Sequence, residues 1–205
     1  MRYGFPRPQI LDTVSSTNDY LKAHLSEGLP RVAAARSQTR GKGRHGHTWV
    51  SEKDQGLYVS YLCYPNLAAR VADRLNVVSA LAVAVSLEEI CPGPVRIAVK
   101  PPNDVLLDGS KICGILVETA SLGAKISWAI IGIGLNLTQQ SFPFHADPPP
   151  ISLAMAGLEA PSREIIYDIL TRNLTQMLRE LEGGAWSRIE EEFEHRIWIP
   201  AGGQR

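Results

Sequence analysis

The stretch SQTRGKGRHGHTWVSEKDQGLYVSYLCY, residues 37 to 64, connects a glycine-rich loop directly to a strand. Residues 31 to 38, RVAAARSQ, predict one strand, and residues 56 to 64, GLYVSYLCY, predict the next through their β-branched and aromatic content. Between them residues 41 to 46, GKGRHG, match G-x-G-x-x-G. In a dinucleotide-binding fold this pattern must open a helix. The strand that follows here excludes that fold.

Two other phosphate-binding loops are excluded by the same residues. A kinase loop needs a valine after its third glycine and a much longer chain, and a Walker A loop ends in G-K-S or G-K-T. A flexible basic hairpin and a mobile anion-binding loop remain. Glycines let backbone amides approach a phosphate, and arginine offers paired donors to it. The concentrated positive side chains favour the second interpretation: Arg36, Arg40, Lys42, Arg44, His45 and His47.

Outward from this stretch, apolar spacing and breakers predict helices alternating irregularly with mainly antiparallel strands. Helices are expected at residues 16–27, ended by Gly28, at 72–90, at 162–182 with Ser162 as cap, and at 185–198. Strands are expected at 95–100, at 105–119 with a tight turn at Asp108-Gly109, and at 126–137, and residues 139–150 should form an irregular loop. On the third helix the apolar stripe comprises Ile165, Ile166, Ile169, Leu174, Met177, Leu178 and Leu181. This pattern predicts the α+β class.

Composition limits the classes of protein that remain. The 205 residues suit one catalytic domain, and 21 basic against 21 acidic residues give no net charge, which argues against a nucleic-acid scaffold. Cys63, Cys91 and Cys113 are odd in number and lack CxxC spacing, so we expect reduced, buried thiols. No signal peptide and no membrane-spanning apolar run are present in the sequence. We therefore expect a soluble protein of the cytoplasm.

Three further polar positions follow predicted strands, and each is ambiguous alone. Lys100, in KPPND at residues 100–104, is either a directed charge for a carboxylate or phosphoryl oxygen or a solvated strand-end lysine. Lys111 either binds a ligand or flanks a turn. Asn136 ends GIGLN, residues 132–136, whose glycines could simply relieve crowding. Trp49 is either an anchor for the end of the loop or an ordinary core aromatic.

Taken in order, the motifs resemble the biotin protein ligase family. They are SSTND at 15–19, SQTRGKGRHGHTW at 37–49, KPPND at 100–104, KICGILVE at 111–118, GIGLN at 132–136, Phe142-Pro143 and Ser152-Leu153. The resemblance covers roughly residues 10 to 155. It implies a fold like that of class II aminoacyl-tRNA synthetases, with a mixed, largely antiparallel sheet flanked by helices. It also implies a reaction in which biotin and ATP give biotinyl-5'-AMP, whose acyl group passes to a lysine of a biotin carboxyl carrier protein or domain.

The resemblance further implies roles for particular residues. Lys100 and Arg44 would act on the reacting oxygens and are the expected catalytic residues. Biotin would be bound by Ser16, Thr17, Gln38, Gly41, Lys42, Gly43, Arg44, Lys100, Gly114, Ile115 and Leu116. ATP or the adenylate would be bound by Arg44, Trp49, Asn103, Lys111 and Asn136. Asn103 and Asp104 would brace Lys100, and Mg²⁺ would arrive with ATP, with no metal ligand assigned in the protein.

Departures from the family pattern qualify these implications. Pro101 stands where the family has tryptophan, and Lys42, His45 and His47 make the loop less basic and partly pH-sensitive. No helix-turn-helix precedes the core, and only IPAGGQR, residues 199–205, follows the last helix. We therefore expect one catalytic domain over residues 1–205, without DNA binding and with the family's small C-terminal SH3-like barrel either absent or truncated.

The sequence is compatible with two other functions, and it does not determine the oligomeric state. The first rival is a lipoate or octanoate ligase or transferase of the same fold, and the second is a non-catalytic biotin-binding relative. No membrane partner is expected, and the oligomeric state stays open, a homodimer included.

Overall fold

The structure, a computed structural model, describes residues 3–27 and 31–200. Its strands are β1 (Gln9–Val14), β2 (Val32–Gln38), β3 (Gly56–Cys63), β4 (Ile97–Lys100), β5 (Asp104–Leu107), β6 (Ser110–Leu122) and β7 (Lys125–Asn136). Its α-helices are α1 (Thr17–Ala23), α2 (Arg74–Ile90), α3 (Arg163–Glu182) and α4 (Trp186–Arg196). Short 3-10 turns occupy Leu25–Glu27, Arg44–Gly46 and Ala69–Val71. The expected α+β class is confirmed.

The strands form one seven-stranded sheet in the order β1-β2-β3-β7-β6-β5-β4. Strand β1 pairs with β2 in parallel, and every other neighbouring pair is antiparallel. The hairpin between β5 and β6 turns at Asp108 and Gly109, whose φ angles of 48° and 82° are those of the predicted tight turn. The sheet is therefore mixed and largely antiparallel, as expected.

Alternation along the central strands divides the sheet into two faces. On one face Val59, Tyr61, Ile131 and Ile133 join the main core with α2 and α3. On the other face Leu62 and Ile130 pack with Leu21 of α1 in a smaller cluster. Leu21 is completely buried, and burying such a side chain contributes about 1.5–3 kcal/mol. On the α1 face, Gly114 and Leu116 of β6 and Gly132 and Gly134 of β7 line a cavity.

The first helix differs from its predicted length. It ends at Ala23, and a 3-10 turn at Leu25–Glu27 replaces the last expected turn; Gly28 lies outside the described residues. Ser16 is its extended N-cap residue, but the Ser16 side chain makes no capping hydrogen bond. The hydroxyl of a buried Ser16 therefore stays available to a ligand.

The long helix α3 largely follows its prediction. Ser162 Oγ accepts from the Ile165 amide, and Gly183 is the C-cap residue. The buried stripe includes Ile166, Leu174 and Leu178 as expected. Ile165 was wrongly placed in that stripe: it is 51% exposed, because it lies in the first turn beside the cap and faces away from α2.

No helix in the described part of the chain is long and apolar enough to cross a membrane.

Candidate active site

Glycines on neighbouring strands form the floor of a cavity of about 280 Å³ on the α1 face of the sheet. Gly114 of β6 lies opposite Gly134 of β7 in the antiparallel register. A Cβ atom at Gly134 would lie 2.4 Å from Trp49 Nε1, and one at Gly114 would lie 2.6 Å from Trp49 Cζ3. These glycines let the Trp49 indole lie directly against the sheet, so the ambiguous tryptophan covers the cavity floor.

Gly132 relieves crowding in the same way for a different side chain. A Cβ atom there would lie 2.3 Å from Asn18 Oδ1. Gly132 and Gly134 thus do relieve crowding, and the space they leave lies within the cavity.

One end of the cavity is polar and uncharged. Ser16 and Thr17, at the start of α1, are 3% and 4% exposed, and Gln38 ends β2 beside them. Gln38 Oε1 accepts from the Thr17 amide at 2.8 Å, and Gln38 Nε2 donates to Ser51 Oγ at 2.8 Å. This end offers hydroxyl and amide groups to a neutral, hydrogen-bonding ligand group.

The glycine-rich loop covers the opposite side and is a compact hairpin. The Gly43 amide donates to the His47 carbonyl at 2.7 Å, and the Trp49 amide donates to the Gly41 carbonyl at 2.9 Å. His45 has a φ of 53° within the Arg44–Gly46 turn, and Lys42 Nζ lies 2.7 Å from Asp19 Oδ1 on α1. Arg44, His45 and His47 line the cavity. The predicted strand-to-strand setting of this loop is confirmed.

A charged pair lies at the far end of the cavity. Lys111 Nζ lies 2.8 Å from Asp104 Oδ1 and 5.5 Å from the centre of the Trp49 ring system. Asn103 Nδ2 donates to the Ile115 carbonyl at 2.9 Å. Asn103 and Asp104 were expected to brace Lys100. Asp104 is the register partner of Lys100 in the β4–β5 pair, but the Asp104 carboxylate contacts Lys111 and the Asn103 amide contacts β6.

Three predicted site residues do not line this cavity. Lys100 Nζ points away and donates to the Asp147 carbonyl at 2.9 Å, and it lies 5.9 Å from the centre of the Trp198 ring. Asn136 is buried, and its Nδ2 donates to the Ile151 carbonyl at 2.9 Å, which fixes the loop after β7. Gly41 lines the two adjoining cavities. The remaining predicted residues lie together around the cavity: Ser16, Thr17, Gln38, Lys42, Gly43, Arg44, Trp49, Asn103, Lys111, Gly114, Ile115 and Leu116.

Three residues of the hydrogen-bond network beside the cavity were not predicted. Asn18 lines the cavity, Ser60 of β3 hydrogen-bonds to Thr17, and Glu118 of β6 hydrogen-bonds to Asn18. Asn18 and Glu118 both belong to motifs already noted, SSTND and KICGILVE. The alternation of β6 could have placed Glu118 on the same face as Gly114.

The cysteines take no part in the cavity. Cys63, Cys91 and Cys113 are free and buried, as the sequence predicts. Burial raises the pKa of Cys63 to about 12 and also raises the pKa of Cys91 and of Cys113. These thiols therefore stay protonated at neutral pH. Among the described residues no cluster of three or more His, Cys, Asp or Glu side chains could hold a metal ion.

Comparison with known proteins places this architecture in a family. A biotin--[acetyl-CoA-carboxylase] ligase of Paracoccus denitrificans is 34% identical over 191 residues, covering 90% of this chain and 78% of that protein. The bifunctional ligase/repressor BirA of Bacillus spizizenii is 31% identical over 164 residues, 78% of this chain and 50% of that protein. This chain therefore spans about half the length of that relative.

A solved structure agrees over most of the chain. The biotin protein ligase from Aquifex aeolicus in complex with biotin and ATP has a TM-score of 0.78 at 27% identity, covering 94% of this chain and 79% of that one. The family model described as the biotin/lipoate A/B protein ligase family matches residues 10–136, which include the sheet except for the first residue of β1 and all residues that line the cavity. The chain belongs to the biotin/lipoate A/B protein ligase family.

Proposed function

We propose that this chain is the catalytic core of an ATP-dependent biotin protein ligase. It would convert biotin and ATP into biotinyl-5'-AMP and pyrophosphate, and then transfer the biotinyl group to a lysine of a biotin carboxyl carrier protein or domain. The observation that carries this proposal is the order of chemical surfaces along one cavity. A neutral polar end is followed by an apolar and glycine wall and then by a cationic end.

Biotin has the same order of groups. Its urea carries two N–H donors and one carbonyl acceptor, which suit Ser16, Thr17 and Gln38. Its sulfur-containing ring and aliphatic chain suit the wall at Ile115 and Leu116. A buried urea left without partners would cost about 1–3 kcal/mol for each unpaired group, so this polar end selects for a ligand that can fill it.

The carboxylate of biotin would reach the end of the cavity at Lys111, and Arg44 of the loop also lines the cavity. A carboxylate is already a nucleophile at neutral pH, so the protein must align it with the α-phosphorus of ATP and neutralise the gathering charge. A carboxylate oxygen forms the new bond to phosphorus, and pyrophosphate departs with its electron pair. In this proposal Lys111 takes the place expected for Lys100, because Lys111 lies in the cavity.

Mg²⁺ would enter as MgATP, the true substrate. One carboxylate, Asp104, belongs to the residues that line the cavity. A phosphate-bound Mg²⁺ uses one or two carboxylates and keeps water or phosphate as its other ligands, so this residue set fits the ion. When bound, Mg²⁺ would neutralise charge on the departing pyrophosphate.

The basic loop would protect the product of the first step. A mixed anhydride between biotin and AMP reacts readily with water, and a closed loop lengthens its lifetime. In the second step the neutral amine nitrogen of the acceptor lysine bonds to the acyl carbon and loses a proton to solvent, and AMP departs with the electron pair of the broken carbon–oxygen bond. The loop must therefore open or shift to admit the acceptor.

Lipoate or octanoate transfer is the second candidate, because the description of the family names lipoate as well as biotin. The acyl tails of lipoate and octanoate carry no hydrogen-bonding group at the end remote from the carboxylate. Bound here, they would leave Thr17 and Gln38 facing an apolar group, which the same desolvation cost opposes. The polar end therefore favours biotin.

The deciding experiment incubates the chain with biotin, MgATP and a purified biotin carboxyl carrier domain. We expect labelled lysine on the carrier and release of one pyrophosphate for each biotin transferred. A matched incubation replaces biotin by lipoate, and a second replaces the acceptor lysine by arginine. Labelling with lipoate instead would support the second candidate, and biotin binding without pyrophosphate release would support a non-catalytic binding protein.

A further inference from the structure

A series of buried hydrogen bonds leads from the sheet to the Thr17 hydroxyl in the cavity. It runs from Glu118 on β6 through Asn18 on α1 and Ser60 on β3. Asn18 and Ser60 are 3% and 0% exposed, and the Glu118 side chain is 25% exposed. The reaction proposed above assigns no role to these three residues, so the purpose of this series is open.

Glu118 fixes the orientation of the Asn18 amide. Asn18 Nδ2 lies 2.9 Å from Glu118 Oε2 and 3.4 Å from the Leu116 carbonyl oxygen. Both partners can only accept hydrogen bonds, so the NH₂ group of Asn18 must face them. Asn18 Oδ1 consequently faces Ser60 Oγ at 2.6 Å, in the space that Gly132 leaves open.

The orientation of Asn18 then decides where the Ser60 proton goes. Ser60 Oγ lies 2.6 Å from Asn18 Oδ1 and 2.7 Å from Thr17 Oγ1, but a hydroxyl has one proton to donate. Asn18 Oδ1 is buried and can only accept, and a buried acceptor without a donor carries its full desolvation cost. The Ser60 proton therefore goes to Asn18.

Thr17 is left as an acceptor toward the cavity. Its own proton can be donated to Ser60 Oγ at 2.7 Å or to Gln38 Oε1 at 3.2 Å, and both are protein atoms. The hydroxyl oxygen keeps its acceptor lone pairs, and Thr17 lines the cavity. A ligand must therefore bring an N–H or O–H donor to this point.

We propose that Glu118 is a positioning residue that, through Asn18 and Ser60, holds the Thr17 hydroxyl as a hydrogen-bond acceptor for one N–H of the substrate's cyclic urea. This inference rests on the proposed function and extends it to the polarity of the binding site. Without an acceptor at position 118 the Asn18 amide can turn over and donate to Ser60. The Ser60 proton then passes to Thr17, whose own proton becomes free to point into the cavity.

The test measures dissociation constants by calorimetry for biotin and for two cyclic-carbamate analogues, in each of which one urea N–H is replaced by oxygen. The wild-type chain should bind biotin about tenfold more tightly than the analogue that lacks the N–H facing Thr17. Glu118→Met should weaken biotin binding about tenfold and reduce this discrimination to less than about threefold. Glu118→Ala removes the same acceptor with a smaller side chain and should give the same result as Glu118→Met. It replaces Glu118→Met in the test if that variant does not fold.

Two controls separate positioning from simple structural support. Glu118→Gln combined with Lys22→Ala keeps one acceptor oxygen for Asn18 without the competing ammonium, and should restore both affinity and discrimination to within about threefold of wild type. Lys22→Ala removes only the ion pair at Glu118 Oε1, where Lys22 Nζ lies at 2.6 Å, and should leave the discrimination intact.

The outcomes are distinguishable. Biotin binding with unchanged discrimination in folded Glu118→Met would overturn this inference alone. No biotin binding by the wild-type chain would overturn the proposed function as well.

Discussion

At the scale of single residues, the lysines at the end of β4 and at the start of β6 differ in which groups they can reach. Lys111 lies in the cavity between Asp104 and the Trp49 ring. Lys100 is engaged with the Asp147 carbonyl outside it. In the sequence each lysine lies near the end of a predicted strand. Only the contacts that the fold gives them show which lysine can reach a ligand in the cavity.

We predict that Lys111→Met lowers kcat/KM for adenylate formation about 10- to 100-fold, because a charge-assisted contact in a partly buried site contributes about 1.5–3 kcal/mol. Lys100→Met should lower kcat/KM for adenylate formation much less. Pyrophosphate exchange measures both variants, with Lys125→Met, at the exposed start of β7, as a control for loss of a surface lysine. An equal or larger loss in Lys100→Met would return the catalytic role to Lys100.

The close approach of the Trp49 indole to Gly134 leaves no space for a side chain on the cavity floor. Gly134→Ala places a Cβ atom 2.4 Å from Trp49 Nε1, so the indole must move. Overpacking of this kind costs about 1–3 kcal/mol, and we expect a lower melting temperature together with weaker biotin binding. Gly93→Ala is the matched control, since no atom lies within 4 Å of a Cβ at that position. Unchanged binding in Gly134→Ala would mean that Trp49 does not shape the site.

At the scale of elements, the glycine-rich loop is the segment whose mobility the proposed reaction needs. Its backbone is held by hydrogen bonds within the hairpin and by the Lys42–Asp19 pair on α1, and it has no buried side chain in the Arg44–Gly46 turn. Few buried contacts mean a low free energy of local opening. The loop can therefore open without unfolding the sheet beneath it.

We predict that Arg44→Gly speeds the escape of biotinyl-5'-AMP, because the variant loses the cation that lines the cavity beside the adenylate. Release of labelled adenylate after rapid gel filtration measures the effect, and an increase of about tenfold or more is expected from the loss of one charge-assisted contact. Arg70→Gly, an exposed arginine outside the cavity, is the control. Equal retention of adenylate in wild type and Arg44→Gly would contradict this role for the loop.

Strand β1 shows where sequence patterns fail at this scale. Residues 9–14, QILDTV, include Ile10, which is 56% exposed, and Asp12, which is exposed in an ion pair. Their pattern gives no buried face for periodicity to detect. The strand forms because its backbone pairs with β2 from residue 33 to residue 38, a tertiary contact that local sequence does not encode.

At the scale of the whole molecule, the sequence predicts the architecture better than the site. Strong periodicity places α2, α3 and the central strands to within a few residues, and the Asp108-Gly109 turn fixes the β5–β6 hairpin. The cavity combines residues from β2, α1, the loop, β6 and β7. The directions of Lys100 and Asn136 depend on contacts with residues 147 and 151, and no spacing in the sequence encodes those contacts.

An ion-pair network around Asp54 connects β1, β2 and α3. Arg36 on β2 donates through Nε to Asp54 Oδ1 at 2.8 Å and contacts Asp12 on β1 at 3.3 Å. Arg163 of α3 donates to the Asp54 carbonyl. Hydrogen bonding from Arg36 holds the pKa of Asp54 below its usual range. A carboxyl group whose pKa is lowered on folding stabilises the protein above its unfolded pKa, and this contribution is lost as the pH falls through the folded value.

We therefore predict that Asp54→Asn lowers the melting temperature at pH 7 slightly, by about 2 °C, because exposed ion pairs contribute little. Asparagine tolerates the positive φ of 60° at this position, so backbone strain does not confuse the comparison. The difference between variant and wild type should shrink as the pH falls below about 4 and vanish once Asp54 is protonated in both folded and unfolded wild type. Melting curves from pH 7 to pH 2.5 measure this, with Asp168→Asn on α3 as the control, since Asp168 forms no ion pair within residues 3–27 and 31–200. A difference that stays constant with pH would show that Asp54 acts through its shape and hydrogen bonds, and that its charge contributes nothing to stability.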